Sequence, residues 1–317
     1  MTLGIEDGAF TLEGRRTFLL GISYYGALGA PGDCVERDLQ DFTRLGFNWV
    51  RVWATWGAFE PVSAVTLEGE PREPYLSRLQ ALCRLAERTG LAVDVTLSRG
   101  NGAVGVNLRA EQAAHLRAVR TVTEVLRPFR HLYFDLANEH NIRDRRHVSF
   151  EELRGLRDEV KALDSERLVT ASHAGDIPPE ELGRYVNEAG LDFVAPHRPR
   201  HPGSPGETEA ATREYRRALE ELSSAAPVHY QEPFRRGFGE WQPRADDFLA
   251  DLRGALAGGA AGWCLHNGHQ CDRPDGRPRR SFDMSRSEGR LLQQLDEEER
   301  QVLQQAGTVV AAGGSGR

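Results

Sequence analysis

The segment HLYFDLANEH, residues 131–140, joins an apolar run to a polar end. A short run rich in aromatic and branched residues predicts a β-strand, here His131–Ala137. The run ends directly before an amide and a carboxylate, Asn138 and Glu139. An amphipathic helical pattern follows over Phe150–Leu163, so the segment predicts one strand–helix unit of a parallel sheet.

The same unit recurs on both sides of this segment. The predicted strands are Thr17–Ile22, Asn48–Trp53, Leu91–Leu97, His131–Ala137, Arg167–Ala171, Leu191–Ala195, Val228–Gln231 and Gly262–Leu265. The predicted helices are Asp33–Leu45, one that ends at Arg88, Arg109–Leu126, Phe150–Leu163, one that begins at Pro178–Pro179, Thr208–Ser223, Arg244–Leu256 and Glu288–Gln305. Eight such units without an intervening linker predict a (β/α)8 TIM barrel, a single α/β domain.

The two chain ends receive separate assignments. Residues Ala9–Arg16 read as an N-terminal β-hairpin with Glu13–Gly14 at its turn, placed to cover the bottom of the barrel. The barrel domain is expected to span residues 1–306. Residues 307–317, rich in glycine and small residues, are expected to form a disordered tail.

The composition narrows the class of protein. The chain has 317 residues, 39% hydrophobic and 27% charged, with a net charge of -7 and a pI near 5.9. This charge argues against a nucleic-acid partner, which favours a basic surface. No apolar run is long enough to span a membrane. The N-terminus lacks the pattern of a signal peptide, so a cytoplasmic location is expected, and secretion would need a leader ahead of this sequence. The oligomeric state stays open.

The four cysteines form no CxxC pair. Cys34, Cys83, Cys264 and Cys271 lack a regular framework, which is typical of free thiols in a reducing compartment. The alternative is a zinc site that uses Cys264 and Cys271 with nearby histidines. The main expectation is a protein without a metal or cofactor.

Two glutamates follow predicted strands at their carboxyl ends. Glu139 follows the fourth strand and Glu232 follows the seventh. In a parallel barrel these ends meet at one face, where active sites lie. A single glutamate there commonly forms a salt bridge, but two carboxylates in one cleft repel each other. Glycosidic bond cleavage is a reaction that needs such a pair.

Three segments carry a resemblance to a known group of enzymes. FDLANEH (134–140), PVHYQEP (227–233) and NWVRVW (48–53) resemble clan A glycoside hydrolases, the superfamily around glycoside hydrolase family 5. The resemblance implies a cellulase-like retaining β-glycoside hydrolase that acts on a β-linked oligosaccharide or small glycoside. It implies that Glu139 is the general acid/base and Glu232 the nucleophile. It also places Arg51 beside the nucleophile and gives Asn138 a contact with a sugar hydroxyl.

Further residues are candidates for substrate binding, each with a structural alternative. Arg51, between two valines, either holds Glu232 ionised or forms an ion pair with another buried acid. His197 resembles the clan's histidine after strand six, although the tyrosine usual two residues later is replaced by Pro199. His266 stands where strand eight commonly ends in a tryptophan. Trp53, Trp56 and Trp241 either stack on sugar rings or belong to the core.

Two other functions remain open. A carbohydrate-binding barrel without catalytic activity would share the fold, although it would not need both glutamates. A metal-dependent barrel enzyme could use histidines at several strand ends. Those histidines are His173, His197, His201, His266 and His269. They show no close ligand spacing such as HxH on one strand.

Overall fold

The structure, a computed structural model, describes residues 1–100, 105–237, 240–268, 282–285 and 289–314. Its strands are β1 (Leu3–Glu6), β2 (Ala9–Leu12), β3 (Arg15–Arg16), β4 (Leu19–Ser23), β5 (Trp49–Trp53), β6 (Ala92–Thr96), β7 (Leu132–Asp135), β8 (Leu168–Thr170), β9 (Ser172–His173), β10 (Ala195–Pro196), β11 (His229–Tyr230) and β12 (Gly262–Leu265). Its helices are α1 (Gly32–Arg44), α2 (Tyr75–Thr89), α3 (Gln112–Leu126), α4 (Phe150–Leu163), α5 (Pro179–Gly183), α6 (Ser204–Glu221), α7 (Ala245–Gly258), α8 (Leu291–Gln294) and α9 (Glu297–Gly314), with a 3₁₀ turn at Ala27–Gly29 and a π-helical turn at Arg184–Glu188.

Parallel strands run round the centre of the molecule. Seven of them form one sheet in the order β11-β12-β4-β5-β6-β7-β8. One residue after β8, the chain continues as β9, which pairs in parallel with β10. Val194, at the start of β10, bridges in parallel to Val228, just before β11. These pairings link both edges of the sheet, and the architecture is consistent with the predicted (β/α)8 barrel.

The strand sequences explain the two layers of packing. All five residues of β5 are buried, as expected for a strand covered on both faces. Val50 and Val52 belong to the large apolar cluster shared with the helices. Trp49 belongs to a second cluster with Ala92 and Tyr133 inside the barrel. Alternate residues of one strand therefore serve the helix layer and the barrel interior.

The first residues of the chain pack into the bottom of the barrel. β1 and β2 pair antiparallel, and β2 pairs in the same way with β3. The ring of Phe10, on β2, is fully buried and lies 5.1 Å from Phe193 and 5.2 Å from His229, measured between ring centroids. Tyr133 stacks on its other side at 6.2 Å. This three-stranded sheet therefore supplies part of the interior core.

Helix α4 matches its predicted bounds because its start carries a strong local signal. Ser149 accepts a hydrogen bond from the Glu152 amide, and the Glu152 carboxylate accepts one from the Ser149 amide. This reciprocal capping satisfies two backbone donors at the helix start.

The sixth strand differs from its prediction: the sequence predicted Leu191–Ala195, whereas the paired strand is Ala195–Pro196.

The C-terminal segment differs from its prediction. One helix was expected over Glu288–Gln305, but α8 and α9 are separate because Asp296 caps α9 through the Glu299 amide at 3.0 Å. Residues 307–317 were predicted to be a disordered tail. Instead α9 continues through Gly314, and it can do so because Val309 and Val310 pack against the core. Residues 315–317 lie outside the described residues.

Across the described ranges, no helix is both long enough and apolar enough to cross a membrane.

Replacement of Phe10 by alanine tests the contribution of the barrel bottom. Because Phe10 is fully buried among aromatic rings, we expect Phe10→Ala to lower the free energy of unfolding by about 3–5 kcal/mol. Urea unfolding measures the change. Leu67→Ala is the control, since Leu67 is 42% exposed. Equal stability of the two variants would contradict a packed interior at this end.

Candidate active site

Glu139 and Glu232 lie together at the carboxyl ends of two strands. Glu139 follows β7 and Glu232 follows β11, and both are buried. One carboxylate oxygen of each and one ring nitrogen of His197 all lie within 4.8 Å of one another. Retaining glycosidases hold their two carboxyl groups about 5 Å apart. The two side chains therefore share one cleft at the spacing of that reaction.

The backbone at Glu139 adopts a conformation that side chains rarely take. Its φ is 49°, in the left-handed region. The Glu139 amide donates to the Ser172 hydroxyl at 3.0 Å, and that hydroxyl donates to Asp135 at 2.7 Å. The next amide, of His140, donates to the Ser172 carbonyl at 3.1 Å. Hydrogen bonds to the neighbouring strand thus hold the strained turn that aims Glu139 at the cleft.

Glu232 is held by contacts on both carboxylate oxygens. Tyr25 donates its hydroxyl hydrogen to Oε1 at 2.5 Å, and Arg51 Nε lies 3.4 Å from the same oxygen. His266 Nε2 and His197 Nδ1 lie 3.5 and 3.6 Å from Oε2. Burial raises the pKa of Glu232, but His266, His197 and Arg51 outweigh it and hold that pKa well below its usual range.

The permanent charge beside Glu232 comes from arginine. Burial and the charge of Arg235 hold the pKa of His266 well below its ordinary value, so the His266 ring is neutral near pH 7. A neutral ring brings no positive charge to Glu232. Arg51 at 3.4 Å and Arg200 at 3.5 Å therefore supply the positive charge that favours the ionised form of Glu232.

Arg51 is surrounded by acceptors and is fully buried. Nη1 contacts Asp94 at 2.7 Å, and Nη2 contacts Asp135 at 3.0 Å and Asn138 Oδ1 at 2.8 Å. Burial raises the pKa of Asp94 to about 7, although Arg51 favours its ionised form. The two alternatives for Arg51 therefore both hold, since it forms buried ion pairs and also contacts Glu232.

Asn138 is oriented by the same arginine. Its Oδ1 accepts from Arg51 Nη2, and Ser172 Oγ lies 3.4 Å from the same oxygen. With the carbonyl end engaged, the amide NH₂ is the end that can donate to a ligand hydroxyl.

Glu139 is surrounded by side chains that carry nitrogen donors, two of them arginines. His197 Nδ1 lies 3.3 Å from its Oε1, and Arg146 Nη1 lies 3.0 Å from its Oε2. Arg146 also pairs with Asp144. Burial raises the pKa of Glu139, but the His197 hydrogen bond and the charges of Arg200 and Arg146 hold it well below the usual range. Glu139 is therefore ionised near pH 7 in the structure.

One arginine bridges the two glutamates. Arg200 Nη2 lies 3.5 Å from Glu139 Oε1 and 3.5 Å from Glu232 Oε2. Sequence reasoning missed Arg200, Arg146 and Arg235. Each lies in a loop that follows a barrel strand. Position after a strand was therefore the only sequence signal that could have marked these arginines as site residues.

Tyr25 was also missed, although it comes directly after β4. The tyrosine that is usual two residues after His197 is Pro199 here. The Tyr25 hydroxyl donates to Glu232 from the first barrel strand instead. The signal was the position of Tyr25 at a strand's carboxyl end.

The tryptophans pack with other aromatic rings. Trp53 and Trp56 are each 2% exposed, and both contact the Tyr25 ring, at 5.6 and 5.1 Å between centroids. They therefore support the tyrosine that contacts Glu232. Trp241 is partly buried and packs on Phe234 at 4.8 Å.

Of the histidines that the structure describes, His197 and His266 lie beside Glu232, whereas His173 and His201 lie elsewhere. His173 contacts Tyr185 and Asn141, and His201 is exposed beside Glu207. His269 and Cys271 lie outside the described residues, and Cys264 is a buried free thiol. Over the ranges that the structure covers, the potential ligands that cluster are Glu139, His197 and Glu232. Arg200 already places a positive charge against both of those carboxylates.

Comparison with solved structures identifies the fold of this chain. Neither a protein-family model nor a curated protein matches the sequence. Solved structures do match. A glycoside hydrolase family 5 mannosidase from Rhizomucor miehei is 14% identical with a TM-score of 0.64, over 99% of this chain and 98% of that chain. The chain has the fold of glycoside hydrolase family 5.

Two further structures support this fold. An exo-β-1,4-mannosidase from Opitutaceae bacterium strain TAV5 is 21% identical with a TM-score of 0.66, over 98% of this chain. A GH5_18 structure from Streptomyces cattleya in complex with GlcNAc is 17% identical with a TM-score of 0.63, over 95% of this chain and 82% of that chain. The chain spans 62% of the length of the Opitutaceae enzyme and 61% of a matched Bacteroides vulgatus structure.

Replacement of Arg51 tests its structural contribution. Arg51→Ala leaves Asp94 and Asp135 buried without their counterion, so we expect a loss of about 3–5 kcal/mol in unfolding free energy. Urea unfolding measures it. Arg117→Ala is the matched control, because the Arg117 ion pair with Glu70 is exposed and should contribute at most about 1 kcal/mol. A similar small loss in both variants would show that the buried cluster tolerates a missing cation.

The two glutamates should also make stability depend on pH. Their pKa values in the folded protein lie below the ordinary 4.5. They therefore contribute stability that is fully present above pH 4.5 and is lost as the pH falls through the folded pKa values. Melting temperatures measured from about pH 7 to about pH 3 should fall less steeply for Glu139→Gln/Glu232→Gln than for the wild type. Parallel curves below pH 4.5 would rule out this contribution.

Proposed function

We propose that this chain is a retaining β-glycoside hydrolase, acting on a β-linked oligosaccharide or small glycoside by double displacement. The observation that carries the proposal is the convergence of Glu139 and Glu232 within 4.8 Å at the ends of β7 and β11. The family 5 fold, whose solved members include mannosidases, supports it. β-Mannosides are therefore the first substrates to test.

In the first step, Glu232 attacks the anomeric carbon. Oε1 has the closest contacts, from Tyr25 and Arg51, so Oε2 is the oxygen that attacks once the sugar displaces Arg200 from it. Glu139 is ionised in the free site, so it has to take up a proton from water as the sugar binds and separates it from Arg200. The C–O bond to the leaving group breaks as the new bond to Glu232 forms, and Glu139 gives that proton to the leaving oxygen. The product is a glycosyl ester of Glu232.

In the second step, water displaces Glu232 from the anomeric carbon. Glu139 accepts a proton from water, the water oxygen bonds to the anomeric carbon, and the ester bond to Glu232 breaks. Two displacements return the sugar to its original configuration. Tyr25 and Arg51 stabilise the carboxylate as it leaves, and the Asn138 amide is placed to donate to a sugar hydroxyl.

Azide rescue distinguishes the two glutamates. A nitrophenolate leaving group hardly needs a proton, so Glu139→Ala should still form the glycosyl-enzyme from nitrophenyl β-glycosides. That intermediate should accumulate, and azide should release it as the β-glycosyl azide. Glu232→Ala lacks the nucleophile, so azide entering from the vacated side should give the α-glycosyl azide. Product NMR identifies each anomer.

The controls keep folding separate from chemistry. Both variants should retain a cooperative thermal transition. Wild-type rates in both variants on a confirmed substrate would refute the assignment. The same azide anomer from both would refute the division of roles.

A further inference from the structure

The side chain of Gln231 crosses the interior of the barrel. Gln231 directly precedes Glu232. The register of β11 against β12 ends one residue earlier, where Tyr230 pairs with Trp263. The Gln231 amide Nε2 donates to Asp94 Oδ2 at 2.7 Å. Asp94 lies on β6, and the strands β12, β4 and β5 stand between β11 and β6 in the sheet. This hydrogen bond therefore connects the end of β11 to the opposite wall of the barrel.

Asp94 is a fixed anchor for this bond. Its register partners on the two neighbouring strands are Arg51 and Tyr133. Both donate to Oδ2, Arg51 Nη1 at 2.7 Å and the Tyr133 hydroxyl at 3.1 Å, and Thr96 donates to Oδ1 at 2.9 Å. These side chains and that of Gln231 are all fully buried. Hydrogen bonds are stronger in such surroundings than in water, so Asp94 is held firmly on several sides.

Glu232 is connected to Asp94 along two routes. One route is the guanidinium of Arg51, whose Nη1 donates to Asp94 and whose Nε lies 3.4 Å from Glu232 Oε1. The other route is the Gln231 side chain and the peptide bond that follows it. The first contacts the carboxylate, whereas the second holds the backbone from which the Glu232 side chain extends. Loss of the Gln231 bond alone would therefore leave the ion pairs of Arg51 in place and let that backbone shift.

We propose that Gln231 is a positioning residue, which holds the backbone of Glu232 against Asp94 so that the carboxylate lies in line with the anomeric carbon. The inference rests on the proposed function, because it assigns a role in the same displacement. A reacting group misplaced by about 1 Å can lose roughly a hundredfold in rate. Gln231 and Asp94 are both fully buried. Loss of their bond should therefore slow the attack of Glu232 and change substrate binding little.

A crystal structure of Gln231→Met tests the positioning itself and needs no sugar. Methionine has the length of glutamine, but it cannot donate to Asp94. We expect the Glu232 carboxylate to move by about 1 Å, while Arg51 keeps its contacts with Asp94 and Asp135. The control is Gln301→Met, an exposed change on α9 that should leave the carboxylate in place. An unmoved carboxylate in Gln231→Met overturns the inference.

Covalent trapping measures the consequence for the attack. Dinitrophenyl 2-deoxy-2-fluoro-β-glycosides, in the gluco, galacto and manno configurations, carry a leaving group that hardly needs a proton. The rate at which they form an ester therefore reports on Glu232, and mass spectrometry follows the labelled protein. With a configuration that labels the wild type, Gln231→Met should lower the saturating rate constant about tenfold or more, with less than about a twofold change in the half-saturating concentration. Gln301→Met should match the wild type.

A second variant keeps the test independent of one substitution. Gln231→Asn retains the amide, but its side chain is one methylene group too short to keep the bond to Asp94. It should lose labelling rate as Gln231→Met does, and it replaces that variant if the methionine protein does not fold. All rates are measured below the onset of each protein's thermal transition, so that loss of folded protein does not contribute.

The outcomes separate this inference from the hydrolase proposal. A displaced carboxylate together with slow labelling in the Gln231 variants supports the inference. Labelling of these variants at the wild-type rate overturns it, and opposite azide anomers would then leave the hydrolase standing. A displaced carboxylate in a protein whose wild type is neither labelled nor able to hydrolyse any nitrophenyl glycoside supports the placement of Glu232 by Gln231 and counts against hydrolysis.

Discussion

The site depends on one buried cation. Arg51 pairs with carboxylates on β6 and β7 and contacts Glu232 after β11, so that one guanidinium connects the ends of three strands at the candidate active site. Buried charges are costly to create and more costly to leave unpaired. The arginine therefore fixes the distances between strand ends as well as the ionisation of Glu232. A barrel without Arg51 would need other interactions to set these distances and to keep Glu232 ionised.

A second set of hydrogen bonds connects Arg51 to Glu139. Asp135 accepts from Arg51 and also from the Ser172 hydroxyl, which in turn accepts from the Glu139 amide. The strained backbone at Glu139 is thus connected to Arg51 through three hydrogen bonds. The two catalytic candidates are positioned by one continuous polar network, in which neither carboxylate is oriented by its own loop alone.

The strand pattern and the two glutamates were accessible from sequence because they follow local rules. A strand buried on both faces has an apolar sequence, and a residue that follows it in a barrel has to point to the catalytic face. The contacts of Arg200 and Arg146 were not accessible in that way. Tertiary packing sets the paths by which their loops approach the site. Hydrophobic periodicity predicts helices and strands, but it does not predict such loop paths. The family resemblance predicted Arg51 near Glu232, but the structure was needed to show Asp94 and Asp135 beside Arg51.

The C-terminal helix shows a second limit of prediction from sequence. The three glycines, the threonine and the two valines of segment 307–314 have low intrinsic helix preference, and composition therefore favoured disorder. Packing of Val309 and Val310 against the core outweighs that preference. The break before α9 was readable in principle, because Asp296 and Glu299 form the reciprocal cap at its start.

The insertion of Phe10 into the barrel bottom has a consequence for how the chain folds. Its ring meets Phe193 and His229, and the neighbouring strand β4 pairs with β12. Phe10 and β4 thus acquire these partners only after residues more than 200 positions further along the chain have been synthesised. Contacts of such long sequence separation slow folding, and an incomplete barrel exposes unpaired strand edges until they form. Protection of nascent β4 is therefore a requirement of this architecture.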